Sequence, residues 1–99
     1  SDLNDKGREL IAQNKHKEAR DRYRTNGNSL KARLLSEIIR SQKGVELRKL
    51  SLEEYKKNKN TEQIKRIIKE LEEYLDLCTR LGIPAEEYRT LLLEYRKIK

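Results

Sequence analysis

Ninety-nine residues, 34% apolar and 41% charged, give room for one domain around a single narrow core and exclude a thick multilayered fold. Twenty-four Lys and Arg against 17 Asp and Glu leave a formal charge of +7, an excess suited to anionic partners or to plain solubility. One cysteine excludes an internal disulfide. No apolar run approaches the roughly 18 residues of a membrane span and no secretory leader pattern is present, so the expectation is a soluble protein without a membrane partner, from a reducing intracellular compartment if natural.

Residues 1–14 (SDLNDKGRELIAQN) place Leu3, Leu10 and Ile11 on one helix face, with Asp2 or Asn4 as caps and Asp5 in the first turn. Gly7 weakens that helix by about 1 kcal/mol relative to Ala unless a neighbour needs the close approach. Carried forward unbroken, the helix would turn Ala12, Ala19 and Tyr23 away from Leu10, which predicts a break at Asn14–Lys15–His16 and a short second helix over Lys17–Arg24. His16 is then expected in a polar, exposed turn. Thr25–Asn26–Gly27–Asn28–Ser29 reads as a loop, with Asn-Gly tolerating positive φ and Asn28 or Ser29 able to cap the next helix.

From Leu30 the stripe Leu30, Leu34, Leu35, Ile38, Ile39 is helical, and Val45, Leu52 and Tyr55 stay in phase with Leu30 and Leu34 as far as Lys57. Gly44 after Lys43 and the capping-box spacing of Ser51–Glu54 argue equally for a bend or break within Gly44–Leu50. Lys56–Asn60 reads as a connection. Thr61–Gly82 carries the strongest pattern, with Ile64, Ile67, Ile68, Leu71, Tyr74, Leu75, Cys78 and Leu81 on one side, Asn60 or Thr61 as cap and Gly82 as terminator. Cys78 on that stripe reads as a small buried hydrophobe. Pro84 suits the first turn of a last helix, whose inner face is Tyr88, Leu91, Leu92, Tyr95 and Ile98; Glu86 and Glu87 complement its start, and Arg96, Lys97 and Lys99 its end. The fold class is therefore all-α, a single-domain, mostly antiparallel bundle of four or five helices with a C-terminal helical hairpin over 61–98.

Gly7–Tyr23 (GRELIAQNKHKEARDRY) resembles the first hairpin of a tetratricopeptide repeat through Leu10, Ala19 and Tyr23. It departs from that motif at Asn14 and Lys17, and no second copy occurs 34 residues later. The segments LLSEII and EYLDLCTRLGIPAEEYRTLL are similar in generic patterning to helical tRNA-binding domains of the YqeY type, with different lengths between helices. Neither resemblance assigns a family.

No catalytic motif or metal-ligand spacing occurs, and a single His leaves no imidazole pair, so the expectation is no enzyme, no cofactor and no metal. The charge is uneven. Residues 1–60 hold 16 Lys/Arg against 9 Asp/Glu, whereas residues 61–99 hold 8 of each. The excess is densest at Lys15, Lys17, Arg20, Arg22, Arg24, Lys31 and Arg33, with Tyr23 among the guanidinium groups; such a set can clamp phosphates and stack a base. Alternatively Tyr23 is a core-edge residue and the arginines an ordinary solvated surface. Met, Phe and Trp are all absent, which points to a biased natural composition or to a core written with a restricted aliphatic palette. The functional expectation is a non-catalytic helical scaffold or protein-binding module whose partner is an acidic protein surface, or an antibody or receptor if the chain is engineered. The alternative is an RNA- or DNA-binding module using residues 15–33.

Overall fold

The computed structural model describes the backbone of residues 2–98 and the side chains of residues 6–98. The side-chain roles expected for Asp2, Leu3, Asn4, Asp5 and Lys99 lie outside the described residues. Five helices follow one another, with no strand among the described residues: α1 (Asp2–Ala12), α2 (His16–Thr25), α3 (Ser29–Asn58), α4 (Thr61–Leu81) and α5 (Glu86–Arg96). The fold is an all-α bundle.

The long axis of the molecule is α3. Thirty helical residues span about 45 Å, close to the full 48 Å length of the protein. The chain does not break at Gly44. Leu35, Ile38 and Val45 are fully buried along one side of α3 and hand over to Leu52 and Tyr55, so a bend there would pull apart a continuous buried seam. Ser51 forms no capping box; its hydroxyl donates to the Leu47 carbonyl inside the helix. The seam also runs one step around from the expected stripe. Leu30 is 59% exposed, whereas Ala32 and Leu35 face inward. Lys56, Lys57 and Asn58 continue the helix, and only Lys59 and Asn60 connect it to α4.

Two buried clusters share this rod. Leu10, Ile11, Ala19 and Tyr23 of α1 and α2 close over Ala32 and Leu35 at one end. Ile38 and Val45 meet Ile67, Leu71, Tyr74, Leu75 and Cys78 of α4, with Leu91, Leu92 and Tyr95 of α5 completing the second cluster. Of the α4 stripe, Ile64, Ile67, Leu71, Tyr74, Leu75 and Cys78 are buried, at roughly 1.5–3 kcal/mol per large side chain, while Ile68 and Leu81 at its edges are half-buried. Leu81 and Ile83, on either side of Gly82, pack against both clusters and so join them. Tyr95 is fully buried with its hydroxyl donating to the Arg48 carbonyl, and burial raises its pKa to about 12. Burial likewise raises the Cys78 thiol, which fits a packing role.

The joints are closed by residues in the left-handed region: Asn14 (φ 61°), Gly27 (φ 80°), Lys59 (φ 52°) and Gly82 (φ 69°). Three of them carry the paired backbone bonds that satisfy a helix's last carbonyls. Lys15 N–H donates to Leu10 O, Asn28 N–H to Tyr23 O and Ile83 N–H to Cys78 O, at 2.8, 2.8 and 2.9 Å. The Asn28 and Asn60 side chains then accept from the Lys31 and Gln63 amides and start the next helices. Pro84 is not in the first turn of α5. The N-cap is the buried Ala85, whose carbonyl accepts from the Tyr88 and Arg89 amides, and Glu86 opens the helix behind it.

Two helical glycines differ in what surrounds them. A Cβ on Gly7 would lie 2.4 Å from the Tyr23 ring, so α2 is seated against α1 only because that side chain is missing. A Cβ on Gly44 would meet only the carboxylate end of Glu70, at 3.1 Å. Gly7→Ala should therefore destabilise the protein by about 1–2 kcal/mol, overpacking exceeding the helix-propensity gain. Gly44→Ala should stabilise it by up to about 1 kcal/mol. Urea unfolding followed by helical circular dichroism reads both signs.

Candidate binding surface

The eight basic-segment residues do not form one surface. At 100° per residue, Lys17, Arg20 and Arg24 fall within about 60° of one another on α2, while Arg22 points to the opposite side. Lys31 and Arg33 diverge by about 160° on α3, and Lys15 belongs to the joint before α2. Asp21 lies about 40° beside that strip and pairs with Arg20 at 3.2 Å and Arg24 at 3.9 Å, which lowers the strip's charge. Tyr23 is buried, its ring laid across Gly7 and the Lys31 ammonium 5.2 Å above its centroid. It belongs to the core and is not a platform for a base. The Ala19–Tyr23 spacing makes the inner face of α2.

Ion pairing divides the molecule. In the α3–α4–α5 half, cations are tied across helices: Arg48 to Glu70, Lys49 to Glu87, Lys56 to Glu94 and Arg96 to Glu72. Tyr88 donates to Glu46 across the same interface, beside an edge-to-face contact with Tyr74. In the other half the ion pairs among the described residues all lie within one helix: Lys6–Glu9, Arg20–Asp21 and Arg24–Asp21. Lys15, Lys17, Arg22, Lys31 and Arg33 have no carboxylate within 4 Å among the described residues. This half therefore keeps most of its positive charge for solvent or for a partner.

A cavity of about 390 Å³ opens where that half meets the end of α4. Arg8, Ile11, Tyr23, Lys31, Thr79, Arg80, Leu81 and Gly82 line it. No sequence spacing connects Arg8 or Arg80 to Lys31; only the tertiary fold brings the three cations together. A larger cleft, about 790 Å³ between α3 and α4, is mostly acidic instead, with Glu37, Glu70, Glu72, Glu73 and Asp76 on its walls beside Arg40.

His16 is not in an exposed turn. It is the first residue of α2, 6% exposed, and its Nδ1 atom is buried with no hydrogen-bond partner among the described residues. Its polar sequence neighbours Lys15, Lys17 and Glu18 favour an exposed turn, but Ile39 and Gln42 of α3 pack beside it. Burial pushes its pKa below the ordinary 6.5. Folded chains thus bind this proton less readily than unfolded ones, so the neutral-imidazole stability is complete above about pH 6.5 and is lost as pH falls through the depressed folded value. Unfolding free energy should drop between pH 7.5 and 5.5, and His16→Leu should flatten that drop. An equal drop in the variant would assign the effect to other groups.

No protein-family model matches the chain, and neither a curated protein nor a solved structure is significantly similar to it.

Proposed function

We propose that the chain is a non-catalytic helical module that docks an acidic protein surface against the basic α1–α2–α3 half. The observation that carries this reading is the division of ion pairing. Among the described residues, one half ties Arg48, Lys49, Lys56 and Arg96 to carboxylates across helices and leaves Lys43, Lys57, Lys59, Arg66 and Lys69 without one; the other half has no pair across helices and leaves Arg8, Lys15, Lys17, Arg22, Lys31 and Arg33 without carboxylate partners. These cations lie on several sides of that half and not on one face, so they act as a summed positive field that steers an anionic partner at long range and is screened by salt. A non-catalytic role is supported by the state of the lone His and lone Cys: both are buried, and desolvation disfavours the imidazolium of His16 and the thiolate of Cys78. A protein is preferred to RNA or DNA because the burial of Tyr23 takes the aromatic ring out of the basic segment.

The test compares two variants that lose the same charge. Lys17→Gln/Arg22→Gln/Arg33→Gln acts on the basic half, and Lys57→Gln/Arg66→Gln/Lys69→Gln acts on the other. Fluorescence anisotropy with a labelled glutamate-rich peptide at low salt should show at least a tenfold loss of affinity for the first and less than threefold for the second. Equal losses would reduce the effect to net charge. Tighter binding of mixed-sequence RNA or duplex DNA than of the peptide, with the steep salt dependence of phosphate neutralisation, would favour the nucleic-acid alternative.

A further inference from the structure

The cavity at the end of α4 differs from four other clefts among the described residues, each of which has at least one carboxylate on its wall. Among the described residues its wall has none; Arg8, Lys31 and Arg80 supply three cations from three helices, and Tyr23 lines it with them. Part of this charge answers local needs. The α4 C-terminus presents about half a negative charge, and Asp76 pairs with Arg80 at 3.2 Å. After both are counted, an excess of about one and a half positive charges faces the cavity.

We propose that this cavity binds a phosphate monoester. At neutral pH such a group carries about −1.5 to −2 charges and three acceptor oxygens, which matches the excess. Two guanidinium groups can each form a forked pair with it. The Tyr23 hydroxyl is a third donor. Burial keeps it protonated, and Arg8 is near enough to act on it electrostatically. Gly7 has a role here as well: its missing side chain lets the Tyr23 ring lie against α1, which brings the ring to the cavity wall. Thr79 does not contribute a hydroxyl proton, because its Oγ1 donates to the Leu75 carbonyl. At about 390 Å³ the cavity falls within the size range of small-molecule sites, and Ile11 and Leu81 offer an apolar wall for the organic part of an ester.

The site shares Lys31 with the docking half, but Arg8 and Arg80 are outside the residues tested there, so either idea can fail alone. The experiment titrates the full chain with phenyl phosphate at pH 7.5 and low salt, followed by nitrogen–proton NMR including the arginine Nε–H signals. Saturable shifts of Arg8, Arg80 and the Gly82 amide are expected. Arg8→Gln and Arg80→Gln should each weaken binding at least tenfold, Tyr23→Phe severalfold, and Arg66→Gln, the same charge removed elsewhere, less than twofold. Phenol should not bind, and lowering the pH to 5.5, where the ester becomes a monoanion, should weaken binding. Circular dichroism confirms that each variant is folded; if Arg8→Gln is not, Arg80→Gln decides. The proposal is overturned by an absence of saturable shifts, by equal effects of Arg66→Gln and Arg8→Gln, or by phenyl sulfate binding as tightly as phenyl phosphate.

Discussion

The fold depends on the uninterrupted burial of one side of α3. Leu35, Ile38 and Val45 are all fully buried, yet they serve two different sets of neighbours, α1 and α2 toward one end and α4 and α5 toward the other. A glycine in the middle of that helix costs about 1 kcal/mol of propensity. Burying Val45 and the apolar residues after it contributes more than that at roughly 1.5–3 kcal/mol each, so the helix runs straight through. Everything else is positioned by reference to this rod. α2 and α5 take opposite ends of it, and α4 returns along it far enough for Leu81 and Ile83 to touch both clusters.

That arrangement also gives the two halves different electrostatic characters. In the α3–α4–α5 half, Glu70, Glu72, Glu87 and Glu94 each reach a cation on another helix. Exposed pairs of this kind contribute little stability, typically under about 1 kcal/mol. Their larger consequence is that they remove charge from the surface. The α1–α2–α3 half has fewer carboxylates to do the same, and its cations either remain in solvent or gather around Tyr23 and the end of α4. The basic surface and the basic cavity are both products of this imbalance.

Much of the fold is legible in the sequence because its signals are local. The eight-residue stripe of α4, Gly82 at its end and the Asn-Gly loop each act within a few residues, and each appears where the spacing places it. The break at Asn14 is readable from the jump in apolar phase between Leu10 and Tyr23. Features set by tertiary packing are not readable. Gly44 looks the same in sequence whether a helix bends or continues, and the outcome depends on partners supplied by α4 and α5. His16 reads as exposed because its neighbours in sequence are polar, whereas Ile39 and Gln42 arrive from another helix. Tyr23 leaves two readings open, and only the cleared space over Gly7 shows which applies. The candidate surface is legible as a count of charges but not as a shape, since helical geometry separates Arg22 and Arg33 from the rest. The cavity is not legible at all, because Arg8, Lys31 and Arg80 are distant in sequence.

The corner at Leu81–Gly82–Ile83 also bears on the order in which the chain assembles. Successive helices are joined by turns of two to four residues that close their own backbone bonds, so each neighbouring pair can form on the microsecond scale of local contacts. Docking this corner onto the cluster that α1 and α2 form with Ala32 and Leu35 instead closes a much longer loop, which is entropically slower. That union would be the late event in folding. It would also be the place where the native state opens first, exchanging its amide protons ahead of the buried middle of α3 and α4.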